Sequence, residues 1–122
     1  MILIVEDNPI NALVLQKMLN AQFDTRWAKN DHEAFAEVNK HPISLILMDI
    51  NLGGESMDGE EIMQELRKDP TYLQLPIFAV TSYAGPGYER KFLEAGFDRY
   101  FSKPVNRQAL MESIKSVGVL AS

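Results

Sequence analysis

The residues best equipped for chemistry in this sequence are an adjacent acidic pair, Glu6 and Asp7, an isolated Asp49, a threonine at Thr81 and a lysine at Lys103. Three carboxylates brought to one small site repel one another, and a fold tolerates them only with a compensating cation or with some of them protonated. A divalent metal is the simpler solution. Magnesium (Mg2+) is a hard octahedral ion that keeps several waters and takes one or two carboxylates together with phosphate oxygens. Glu6, Asp7 and Asp49 supply carboxylates, and the backbone carbonyl of Asn51 adds a further oxygen donor. If a phosphoryl group is the other ligand, its remaining equatorial oxygens need a cation and a hydroxyl donor, which Lys103 and Thr81 provide. The reaction that fits these groups is in-line phosphoryl transfer to a carboxylate oxygen of Asp49, giving an acyl phosphate that water can hydrolyse.

That chemistry requires the chain to fold distant residues onto one spot. Short apolar runs alternate with longer amphipathic ones, the pattern of parallel strands joined by helical crossovers. Strands are predicted over residues 2–5, 24–28, 44–48, 76–80 and 99–101, and the third, the most apolar, belongs at the centre. Helices are predicted over 9–20, 31–40, 58–68 and 88–95, with a last one opened by Lys103-Pro104. Val14, Leu15 and Met18 make the buried stripe of the first helix; Asp31 and Asp58 are cap candidates; Gly96 closes the fourth; Leu110, Ile114 and Val117 share a face of the last. Right-handed crossovers with helices on both faces give an α/β doubly wound parallel sheet. Such sheets bind ligands beyond the carboxyl ends of their strands. Glu6, Asp7, Asp49, Thr81 and Lys103 all fall at those ends.

Composition narrows the rest. A chain of 122 residues suits one domain with one core, residues 1–122 as a single unit without an output domain. With 46% hydrophobic and 24% charged residues it reads as a globular protein. Cysteine is absent, which removes disulfides and thiolate metal sites and suits a reducing compartment. A net charge of −5 without a cluster of Lys and Arg argues against direct nucleic-acid binding. No apolar stretch approaches the roughly 20 residues of a membrane span, and the N-terminus lacks the basic start of a signal peptide, so the expectation is a cytoplasmic protein with no membrane partner.

The segments ILIVEDNPIN, LILMDINLGG, VTSYA and DRYFSKPV, in that order across essentially the whole chain, resemble the response-regulator receiver domains of two-component systems, the CheY-like family. The resemblance implies five parallel strands in the order 2-1-3-4-5, flanked by five helices. It implies Mg2+ at Glu6, Asp7 and Asp49, phosphorylation of Asp49, a switch hydroxyl at Thr81 and a phosphoryl-contacting lysine at Lys103. Tyr100 matches the family's aromatic switch position. The donor is then a phosphohistidine on a sensor histidine kinase or histidine phosphotransfer protein. The face made by the fourth helix, fifth strand and fifth helix changes on phosphorylation and is a possible homodimer surface. Asn51 and Tyr83 flank the site where the family tunes phosphorylated-state lifetime.

The sequence departs from the family in two places. Leu52-Gly53-Gly54-Glu55-Ser56-Met57-Asp58-Gly59 is about two residues longer than the usual loop, and Glu55 is expected to bias the site. Gly85-Pro86-Gly87 is expected to delay the fourth helix, because glycine is a poor helix former. Taken singly, the acidic pair reads as a solvated turn, Asp49 as a strand-end turn residue and Lys103 as a surface charge. His32 and His41 read as ordinary surface residues, Trp27 as packing and the methionines as core filler.

Three other functions compete. A magnesium-dependent aspartyl-phosphate phosphatase would carry an acid two places after its nucleophile, where this chain has Asn51. A flavodoxin-type module would place a hydroxyl-rich or glycine-rich loop where Glu6-Asp7-Asn8 stands. A non-phosphorylated pseudo-receiver would not need the full acidic, hydroxyl and lysine set. The expectation is therefore a protein that catalyses only its own phosphorylation and dephosphorylation and is not an enzyme on external substrates.

Overall fold

The computed structural model describes residues 1–53 and 57–121. Five parallel strands, β1 (Ile2–Val5), β2 (Thr25–Ala28), β3 (Leu45–Asp49), β4 (Ile77–Thr81) and β5 (Arg99–Ser102), form one sheet in the order β2-β1-β3-β4-β5. Strands β1, β3 and β4 are buried along their whole length, which is why they read as continuous apolar runs. The edge strands are more polar.

Helices α1 (Pro9–Leu19), α2 (Asp31–Lys40), α3 (Gly59–Arg67), α4 (Tyr88–Ala95) and α5 (Arg107–Ser116) cover the two faces. Because side chains alternate along a strand, the sheet serves two cores. Leu3, Val5, Ile46, Met48, Ile77 and Ala79 point to α2, α3 and α4, where Ala34, Val38, Ile62, Leu66 and Phe92 meet them. Ile2, Ile4, Leu45, Leu47, Phe78 and Val80 point the other way, to Ala12, Leu15 and Leu19 of α1 and Leu110 and Ile114 of α5. Of the methionines, Met48 and Met63 are buried core, as expected of filler residues.

Register sets the site. Val5 pairs with Met48, Asp49 with Val80 and Thr81 with Ser102, so the carboxyl ends of β1, β3, β4 and β5 finish nearly level.

Several local expectations are corrected. The buried stripe of α1 is Ala12, Leu15 and Leu19, while Val14 is 48% exposed. Asn30, rather than Asp31, caps α2 by accepting the Glu33 N–H at 2.9 Å. Lys103-Pro104 does not open α5; Asn106 caps it through the Ala109 N–H at 2.9 Å. His41 is half-buried, its Nε2 3.5 Å from Glu37.

Other local expectations hold. Asp58 caps α3 in a reciprocal capping box with Glu61. The α4 helix starts at Tyr88, after Gly87 in the left-handed region at φ 99° and with no side-chain cap. Gly54, Glu55 and Ser56, including the residue expected to bias the site, lie outside the described residues. No helix among the described residues is long and apolar enough to cross a membrane.

Candidate functional site

The site is built by chain ends that the register has aligned. Glu6 and Asp7 leave β1, Asp49 ends β3, Thr81 ends β4 and Lys103 follows β5. One carboxylate oxygen from each of Glu6, Asp7 and Asp49 lies within 4.8 Å of the other two. Lys103 Nζ stands 3.1 Å from Glu6 Oε2 and 3.4 Å from Asp49 Oδ1. The Lys103 N–H donates to the Thr81 carbonyl at 2.8 Å, which fixes the backbone that carries this ammonium. Glu6, Asp7, Asp49, Thr81 and Lys103 are therefore together at one end of the sheet.

The electrostatics are unbalanced. Glu6 is 1% exposed and Asp49 4% exposed, and a single ammonium faces three carboxyl groups. Burial, then the adjacent Glu6, push the Asp49 carboxyl up to about 7, with Lys103 and the Asn51 N–H pulling in the other direction. A buried acid held near neutrality in a cleft is a common mark of a functional group. The all-oxygen donor set and the surplus negative charge fit a hard dication such as magnesium, with the Asn51 carbonyl as the expected neutral donor.

Local hydrogen bonds hold each carboxylate in place. Asp49 Oδ1 accepts from the Asn51 N–H at 3.2 Å, Asp7 Oδ2 from the Gly53 N–H at 3.0 Å, and Glu6 Oε1 from Asn11 Nδ2 at 3.1 Å. Trp27 Nε1–H donates to the Glu6 carbonyl at 2.7 Å, so a residue read as packing also fixes the backbone of the acidic pair.

Thr81 is fully buried, and its Oγ1 accepts the Tyr83 N–H at 3.1 Å. The Tyr100 hydroxyl donates to the Tyr83 carbonyl. Tyr83 thus touches the hydroxyl position with one backbone group and the aromatic position with the other. Its ring stacks on Tyr88 at 5.3 Å between centroids, and Tyr100 stacks on Phe92 at 6.0 Å.

Sequence reasoning missed two contributors. A Cβ at Gly59 would sit 2.1 Å from the Asp49 carbonyl oxygen, so only glycine lets α3 start against the end of β3. The Asp58-Gly59 pair was its only signal. Asn11, one turn into α1, stood only as the last residue of the ILIVEDNPIN segment, with nothing to mark its role, which depends on Glu6 folding back toward it.

A family model described as response regulator receiver domain matches residues 2–115. The polar-differentiation response regulator DivK of Brucella anthropi is 34% identical over 116 residues, covering 94% of this chain and 93% of that protein. Among solved structures, a CheY-like response regulator receiver domain protein from Methanospirillum hungatei shares 30% identity at a TM-score of 0.79, covering 94% of this chain and 90% of its own. The signal receiver domain of a signal transduction histidine kinase from Syntrophus aciditrophicus shares 28% identity at a TM-score of 0.82, covering 95% and 87%.

Proposed function

The chain belongs to the response-regulator receiver family of two-component signalling, and from that premise we propose that it is a phosphorylation switch whose phosphoryl acceptor is Asp49. The observation that carries this reading is the meeting of three carboxylates with Lys103 above the strand ends. Glu6, Asp7, Asp49 and the Asn51 carbonyl would hold magnesium. When bound, the ion neutralises charge shared between donor and acceptor oxygens.

An Asp49 carboxylate oxygen attacks phosphorus in line while the bond from phosphorus to the donor nitrogen of a phosphohistidine breaks, the imidazole leaving with the electron pair. Lys103, released from Glu6 and Asp49, takes one phosphoryl oxygen, and the Thr81 hydroxyl takes another. Thr81 Oγ1 then gives up the Tyr83 N–H. That loosens the Tyr83 carbonyl that anchors Tyr100 and remodels the α4–β5–α5 face. The partners are a sensor histidine kinase or histidine phosphotransfer protein in the cytoplasm and, through the same face, a second copy of the chain.

Intact mass after incubation with magnesium and acetyl phosphate tests the reading. The expected result is a single phosphoryl gain that disappears in Asp49→Asn and without the metal. A gain that survives Asp49→Asn would place the acceptor elsewhere.

A further inference from the structure

A pocket of about 410 Å³ opens beside the acceptor site, between α1 and the segment that joins β5 to α5. Its walls are apolar: Val14 and Met18 from α1, Pro104 and Val105 from the connecting segment, with Leu15 and Val80 beneath. Its polar groups are Asn11, Ser82 and Lys103. Two of these also belong to the acceptor site, since Lys103 reaches Glu6 and Asp49, and Asn11 Nδ2 donates to Glu6. Pocket and acceptor site therefore share a wall. Its volume is within the range of small-molecule sites, whose apolar lining and few polar groups it also shares.

The charge pattern selects the occupant. The shared end offers the Lys103 ammonium beside the carboxylates that would hold magnesium, and the far end offers hydrocarbon; with the dication bound, this matches a molecule with an anionic head and a short apolar tail. We propose, resting on Asp49 as acceptor, that this pocket receives the acyl chain of small acyl phosphates and makes the protein prefer donors with chains longer than acetyl. In the transfer, a bond forms between an Asp49 oxygen and phosphorus as the bond from phosphorus to the acyl oxygen breaks. The acyl group departs as a carboxylate with the electron pair, so no further reactant is needed.

Acetyl phosphate and butyryl phosphate distinguish the pocket, because their leaving carboxylates differ little in basicity while butyryl adds two methylenes. Burying both predicts a preference of about tenfold for butyryl phosphate at subsaturating donor. The rate of phosphoryl gain by intact mass is divided in each protein by the rate with phosphoramidate, which has no tail. Val14→Trp, at a half-exposed helix position where a larger ring fills the pocket, is expected to bring the butyryl-to-acetyl ratio close to one.

Equal rates from the two donors in the unsubstituted protein, both still dependent on Asp49, would overturn the pocket assignment and leave the switch standing. A preference that persists in Val14→Trp would also overturn it. Absence of phosphorylation from every donor would remove both the pocket and the acceptor reading.

Discussion

Two charged clusters lie at opposite ends of the same sheet and are built on opposite principles. At the amino ends of β4 and β5, one guanidinium meets more acceptors than it has carboxylates to neutralise. Arg67 donates through one nitrogen to the carbonyls of Tyr72, Leu73 and Leu75, and through another to the Gly96 carbonyl and Asp98 Oδ2. Asp98 Oδ2 in turn accepts the Ile77 N–H at 2.8 Å. At the carboxyl ends, one ammonium stands among three carboxylates, two of them buried, and burial leaves that cluster with surplus charge. The balanced cluster holds the fold together, and the unbalanced one is where we propose that a cation and a phosphoryl group enter. Surplus buried charge of one sign is a cost that folding alone does not explain.

The comparison breaks most visibly at Arg67. Arg67→Ala takes the guanidinium from the Leu73, Leu75 and Gly96 carbonyls and leaves Asp98 with the Ile77 N–H alone, and the expected loss is about 3 kcal/mol of stability. A fall in melting temperature of roughly 10 °C follows for a domain of this size. Thermal unfolding followed by circular dichroism measures it. Phosphoryl gain by the protein that remains folded should be unchanged, and a proportionate loss of phosphorylation would mean that the two ends are coupled.

A smaller effect of opposite sign is expected at the other end. In the folded protein Asp49 titrates at about 7, above its ordinary 3.8, so the folded chain retains a proton that the unfolded chain releases. Stability in metal-free buffer therefore falls as pH rises from about 4 to about 7. Asp49→Asn removes the buried charge and is expected to be more stable than the native protein at pH 8 by about 1–2 kcal/mol. The difference should shrink below pH 7 and close near pH 4. Urea denaturation at pH 8, 6 and 4 reads it directly, and a constant difference at all three would show that burial of this carboxyl carries no charge penalty.

Why one cluster was legible in the sequence and the other was not follows from what each is made of. Glu6, Asp7, Asp49, Thr81 and Lys103 are side chains at the ends of apolar runs, where residue type and position along a strand can both be read. Arg67 is held mostly by backbone carbonyls, which have the same chemistry at every residue. The strands and α3 were legible because burial and capping are local patterns. The face of α1 was misplaced because apolar residues surround that helix: Ile10, Leu13 and Val14 are exposed, and only packing decides that Ala12, Leu15 and Leu19 turn inward. The α5 start was misplaced because proline suits a first helical turn and equally suits the segment before Asn106.

The smallest expected effect sharpens the contrast most. If the carboxyl-end cluster lacks positive charge, supplying a dication should stabilise it, whereas the Arg67 cluster has nothing to gain. Magnesium at ten times its dissociation constant is expected to raise stability by about 1.4 kcal/mol, a shift of a few degrees in melting temperature. Asp7→Asn, whose side chain is exposed and accepts the Gly53 N–H, should reduce that shift without unfolding the protein. Arg67→Ala should keep the full shift from its lower starting temperature. Because protons compete for Asp49, the shift should also weaken between pH 8 and pH 6. A magnesium shift of equal size in Asp7→Asn, or one insensitive to pH over that range, would mean that the ion binds away from these carboxylates and that Lys103 alone balances the site.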